Sequence, residues 1–227
     1  DTGAADLAAR RLGQLAAGLA AVESATGRVI RVGFEPEPGC VVETTGQAVA
    51  RLAGVDPDRL GICLDLAHLA CAWEEPAAAL KELGRAGLPV VKVQLSAALE
   101  SAEPDVLREY AEPRFLHQTR NPAGEAADDL GEAFERSMRG PWRVHYHVPL
   151  HLTPSAPLTT TVPVLRAALA ELAGGPRPLC DHFDVETYTW GVLPPALRPH
   201  DPEQLAAGIA GELDFARAEL HELGVTS

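Results

Sequence analysis

The sequence predicts an α/β fold, a parallel sheet with helices packed outside it, and three observations lead there. Short apolar strands alternate with helix-length segments in about five βα units along the chain. Each strand carries apolar side chains on one parity and ionisable ones on the other, as the two faces of a strand require. The ionisable side chains gather toward the strands' C-terminal ends, where parallel α/β folds place their sites.

The chain opens with a helix over about residues 4–24, where Leu12, Leu15, Leu19 and Val22 recur at helical spacing. Gly27 is its stop. The first strand, residues 28–34, runs into Glu35-Pro36-Glu37-Pro38-Gly39. Thr44 and Thr45 are caps for a short helix to about Leu52. The second strand is Gly61-Ile62-Cys63-Leu64-Asp65, with His68 three residues beyond its carboxylate. Pro76 suits the first turn of a helix ending near Gly84 or Gly87, and residues 88–96 form the third strand. A long irregular region follows, with helices near 104–111 and 128–137 and a Gly/Pro/Asn turn between them. The fourth strand is Trp142-Arg143-Val144-His145-Tyr146-His147-Val148. A Pro/Thr-rich loop leads to a helix over 161–173, a fifth strand over 179–186 and a last helix over 202–222. Leu205, Ile209, Leu213 and Leu220 are expected on the inner stripe of that helix.

Five units do not close an eight-stranded barrel. The expectation is the C-terminal five-strand part of a (β/α) barrel, incomplete at the N-terminus, as a single domain over residues 1–227. An open five-stranded α/β sheet is the rival.

Composition narrows the function. Hydrophobic content of 46% fits a globular core. A net charge of -13 without clustered Lys and Arg argues against nucleic acid and against an anionic membrane surface. No apolar run reaches the length of a membrane span. Cys40, Cys63, Cys71 and Cys180 form no CxxC pair and read as reduced, buried thiols of a cytoplasmic protein.

The strand parities give the strongest functional signal. One face holds Val32, Phe34, Ile62, Leu64, Val91, Val93, Val144, Tyr146, Val148, Phe183 and Val185. The other holds Arg31, Glu35, Cys63, Asp65, Lys92, Gln94, Ser96, His145, His147, His182, Asp184 and Glu186. Burying such groups costs several kcal/mol each unless they pair or bind a metal. Simpler roles stand beside this one. Asp65 suits a helix cap, His145 a packed imidazole, and Lys92 an ion-pair partner as readily as a catalytic group. Arg31 and His182, near strand starts, read as structural.

Several motifs together resemble the xylose-isomerase-like TIM-barrel superfamily of sugar isomerases, epimerases and endonuclease IV-type enzymes. They are Phe34-Glu35-Pro36-Glu37-Pro38, Gly61-Ile62-Cys63-Leu64-Asp65 with His68, and Lys92-Val93-Gln94-Leu95-Ser96-Ala97-Ala98-Leu99. Phe115-Leu116-His117-Gln118, the fourth strand with Pro149, and Val185-Glu186-Thr187-Tyr188-Thr189-Trp190 with Val192-Leu193-Pro194 complete the set. The nearest likeness is to EboE-type metabolite-traffic proteins.

The resemblance implies a divalent ion (Mn, Mg, Zn or Fe) held by a strand-end Glu, an Asp, a His and a final Glu. Glu35, Asp65 and Glu186 match three of these, and His68 matches a residue that contacts substrate or a second metal. Gln94 stands where the superfamily often has His, and an amide oxygen is a weaker ligand than imidazole. His147 or His145 is then the nitrogen ligand. The expected metal set is Glu35, Asp65, His147 and Glu186. The catalytic set is Glu35, Glu186 and Lys92, and the substrate set is His68, Gln94, His117, His145 and Trp190. The expected function is a metal-dependent sugar or sugar-phosphate isomerase or epimerase handling a small hydroxylated metabolite. A non-catalytic binding or traffic protein is the alternative, and a Schiff-base lyase on Lys92 is a third reading.

Overall fold

In the computed structural model, which describes residues 2–225, a parallel sheet forms where the apolar strand runs overlap. β1 (Val32–Phe34), β2 (Leu60–Asp65), β3 (Val90–Leu95) and β9 (Phe183–Val185) lie side by side in the order β1-β2-β3-β9. Every pairing in this sheet is parallel. The sheet does not close into a barrel among the described residues.

Helices pack around the two sheets. They are α1 (Thr2–Thr26), α2 (Thr45–Leu52), α3 (Leu66–Cys71), α4 (Pro76–Arg85), α5 (Leu130–Glu135), α6 (Val162–Ala173) and α7 (Pro202–Glu222). α2 starts at a reciprocal cap, in which the Thr44 side chain takes Gln47 N–H and the Gln47 side chain takes the Thr44 N–H. Such a cap is worth about 1 kcal/mol. α4 starts on Pro76, with the Glu75 carboxylate accepting from Ala77 N and Ala78 N. One hydrophobic core runs from Ala48 to Ala216 through both sheets, with Trp142 and Tyr146 its largest fully buried side chains. No helix among the described residues is long and apolar enough to cross a membrane.

The strand over 142–148 forms but joins a different sheet. β4 (Ala98–Ser101), β5 (Thr119–Arg120), β6 (Ala126–Ala127), β7 (Trp142–His147) and β8 (Leu158–Thr160) make a second sheet in the order β6-β5-β7-β4-β8. All its pairings are antiparallel. A parallel neighbour needs a crossover of a dozen or more residues, usually a helix. Between β3 and β7 the chain supplies only the short strands, a 3-10 turn over Pro104–Tyr110 and the six-residue α5. β4 follows β3 after only Ser96 and Ala97, and β7 pairs back against it.

Other expectations shift for local reasons. β1 begins at Val32 because its first partner is Leu60, the start of β2. Val91 leaves the apolar face. A register shift sets Ile62 opposite Val90 and Cys63 opposite Lys92, so Val90 enters the core and Val91 lines a polar cleft. On α7, Ile209 and Leu213 point outward and Glu212 points in. The glycine Gly208 sets this register, since a Cβ there would lie 2.4 Å from the Trp190 ring. Leu15 and Val22 of α1 are likewise exposed, with Ala16 buried in their place. All four cysteines are free, but Cys40 is exposed. It sits in the turn after Glu37, with its thiol 3.5 Å from that carboxylate.

Candidate functional site

Asp65 ends β2 on its polar parity and caps α3. Its two oxygens have different fates. Oδ1 accepts from His68 N and from Ser96 Oγ of the neighbouring strand, both at 2.8 Å. Oδ2 is buried with no partner among the described residues. Burial alone would raise the carboxyl, but His68, His147 and the two donors outweigh it and hold it below the usual carboxylate range.

The alternation of β7 turns His145 and His147 to the same face as Asp65. His147 Nδ1 lies 2.9 Å from the Glu186 carbonyl. A carbonyl only accepts, so Nδ1 carries the proton and Nε2 presents a lone pair. That Nε2 is buried and unpartnered among the described residues, as is Glu186 Oε2. Asp65, His147 and Glu186 thus offer ligand atoms within 4.8 Å of one another. Two further groups meet the same spacing, Glu35 with Asp65 and His68, and His68 with His145 and His147.

His68 gives its Nδ1 proton to the Pro36 carbonyl at 3.1 Å, with Glu35 Oε1 at 3.3 Å. Its Nε2 meets His145 Nε2 at 2.9 Å, and His145 Nδ1 meets the Gln118 amide oxygen at 2.8 Å. Burial, and then the charges of His68 and His147, hold His145 well below its usual range, while burial lowers His68 against the opposing charge of Asp65.

The acids around them crowd one another. Glu35 is pushed up to about 7, first by burial and then by the charges of Asp65 and Glu186. Glu186 is raised by burial and then by Asp65. A buried carboxylate oxygen, a second acid oxygen and an imidazole nitrogen, none with a hydrogen-bond partner among the described residues, make a donor set that fits a divalent ion.

A cavity of about 470 Å³ opens onto this cluster. Glu35, Glu37, His68, His145, His147 and Glu186 line its inner part. Arg114, Phe115, Leu116, Gln118 and Tyr188 also line it. Of these five, Phe115, Leu116, Gln118 and Tyr188 sit in motifs visible in the sequence, yet the nearby Trp190 and His117 carry the more familiar chemistry.

The remaining expected site residues lie elsewhere. His117 is fully buried, with Nδ1 on the His145 carbonyl at 3.1 Å and Nε2 on Glu112 at 3.0 Å. Both nitrogens are used, so it braces a loop and does not reach the cavity. Trp190 donates Nε1–H to Glu212 at 3.1 Å and packs on Gly208 of α7, and it is not among the residues lining this cavity. The Gln94 side-chain oxygen accepts from the Cys63 thiol at 2.6 Å. Lys92 pairs with Asp184 at 2.9 Å and lines a separate cleft that shares Glu35 with the cavity. The hydrogen bond to Asp184 raises its pKa, the opposite of what a Schiff-base lysine requires.

The family described as xylose isomerase-like TIM barrel matches residues 2–136. No curated protein and no solved structure matches the chain.

Proposed function

The chain belongs to the xylose isomerase-like TIM-barrel family, and from that membership we propose a metal-dependent isomerase or epimerase of small hydroxylated metabolites. The supporting observation is the set of unpartnered buried donors, Asp65 Oδ2, His147 Nε2 and Glu186 Oε2. Asp65, His147 and Glu186 hold the ion, and Glu35 stands beside them across the shared Asp65. When bound, a divalent ion polarises adjacent hydroxyl and carbonyl oxygens and makes the C–H between them more acidic.

The chain's own groups then handle the proton. Glu35, with a pKa near 7, takes the proton from the hydroxyl-bearing carbon beside the carbonyl and returns it to the former carbonyl carbon on the same face, as the hydroxyl proton passes to the carbonyl oxygen. His68 lines the cavity next to Glu35, its ring fixed between Pro36 and His145. Phe115, Leu116 and Tyr188 of the cavity wall exclude water from the apolar face of the substrate. Four free thiols suit the reducing cytoplasm.

The test is solvent exchange. Protein loaded with Mn2+ and given D-fructose in D2O should place deuterium on the carbons flanking the carbonyl. Glu35→Gln should lower that exchange by at least about a hundredfold while Mn2+ stays bound. Within the family, the strand and loop motifs support a likeness to EboE-type metabolite-traffic proteins. Gln94 supports a binding role without turnover, because its oxygen is committed to Cys63 and β3 adds no ligand there. Sugar and Mn2+ bound with no deuterium incorporated would favour that reading over catalysis.

A further inference from the structure

We propose that the substrate is a hydroxylated chain ending in an oxyanion, phosphate or carboxylate, gripped by Arg114 while its hydroxyl end faces Asp65, His147 and Glu186. This assignment rests on the polyol reading above and adds the substrate's charged end. Arg114 is the one Lys or Arg among the residues lining the cavity. Glu35, Glu37 and Glu186 line the same space, yet the guanidinium forms no ion pair or hydrogen bond among the described residues. Many other arginines are spent on acids, as Arg120 is on Glu43 and Arg143 on Glu100.

The group is held in place through its backbone and its flat faces. Its Cζ lies 5.1 Å from the centre of the Phe115 ring. A Cβ at Gly191 would meet Nη1 at 3.6 Å, so the guanidinium also lies near the 3-10 turn Tyr188–Gly191. Glu112 accepts from Arg114 N at 2.7 Å, from Phe115 N at 3.0 Å and from His117 Nε2 at 3.0 Å. His117 in turn holds the His145 carbonyl. The loop bearing Arg114 is therefore tied to the strand that carries the imidazoles. A guanidinium so fixed, with its donors free, matches the geometry of a phosphate or carboxylate. A cavity of about 470 Å³ is the size that takes a small ligand of this kind.

Calorimetric titration of the Mn2+-loaded protein with D-fructose, D-fructose 6-phosphate and D-gluconate tests this. At least one oxyanion probe should bind about tenfold or more tightly than D-fructose, and the tighter of the two names the group. In Arg114→Gln both oxyanion probes should fall to the affinity of D-fructose, with the wild-type Tm kept because the side chain is exposed. Arg114→Lys should retain part of the preference, since it keeps the charge and loses the fork. Equal affinities in the wild type, no binding of either oxyanion probe, or a preference that survives Arg114→Gln would each overturn the proposal. Titration of D-fructose without metal separates the two ideas. D-fructose binding that ignores Mn2+ would count against the polyol reading, whereas the oxyanion preference bears on Arg114 alone.

Discussion

Asp65 divides its work between two oxygens, one capping α3 and one left free beside His147 and Glu186. The cap was legible from a carboxylate at a strand end, and the structure adds that the second oxygen has no hydrogen-bond partner among the described residues. His145, His147 and Glu186 were legible for the same reason, since strand alternation fixes which side chains share a face. His117 and Gln118 show where that reasoning stops. They are adjacent and point opposite ways, and in an irregular segment no period says which one reaches the cavity. Glu112 makes a testable case at this scale. Burial would raise its pKa, but the Arg114 and Phe115 amides and His117 outweigh it and hold it below its usual 4.5. A lowered folded-state pKa stabilises the protein above the unfolded value, and that stability is lost as pH falls through the folded one. Glu112→Gln should therefore lower Tm at pH 7, and its difference from wild type should shrink as pH drops below about 4.5. Thermal melts of both proteins from pH 7 to pH 3 check this, and a difference that does not change with pH would argue against it.

At the scale of elements, Glu212 shows how a helix register can serve the site. It is 1% exposed and accepts from Leu150 N at 3.1 Å, Thr187 Oγ1 at 2.6 Å and Trp190 Nε1 at 3.1 Å. Thr187 follows Glu186, and Leu150 lies just past β7, so α7 clamps two segments that carry cluster residues. Glu212→Ala strands three buried donors and should cost about 2–4 kcal/mol in urea unfolding. Mn2+ affinity should fall with it, because Glu186 loses its brace. The hydrophobic stripe of α7 was read one step off, since Ile209 and Leu213 outrank a glycine and an acid on any apolar scale. Only the Trp190 ring against Gly208 shows which face must be narrow. β2 and β3 set a second constraint. A Cβ on Gly61 would lie 2.3 Å from the Pro89 carbonyl oxygen, a backbone atom that cannot swing away. Gly61→Ala should destabilise by about 2 kcal/mol or more, read by the same unfolding curve. The strands were legible from their alternation, but parallel and antiparallel pairing were not. The same pattern serves either, and the length and helix content of the connection decide.

Across the whole molecule, two sheets meet so that the ends of β2, β7 and β9 deliver groups to one cavity. The family match ends at residue 136, so His145, His147 and Glu186 lie beyond it and rest on geometry alone. Glu35, Glu37 and Glu186 give the cavity its acidic character, and one arginine at its wall stands out against it. The claim on which the rest depends is that Asp65, His147 and Glu186 surround one divalent ion. Calorimetric titration of chelator-stripped protein with Mn2+ measures this most directly. One Mn2+ per chain is expected, with affinity at least about tenfold weaker in each of Asp65→Asn, His147→Gln and Glu186→Gln. Arg166→Gln, which alters an exposed ion pair between α6 and α7, should bind as the wild type does. No Mn2+ binding, or equal affinity in all five proteins, would contradict the assignment of this cluster as a metal centre.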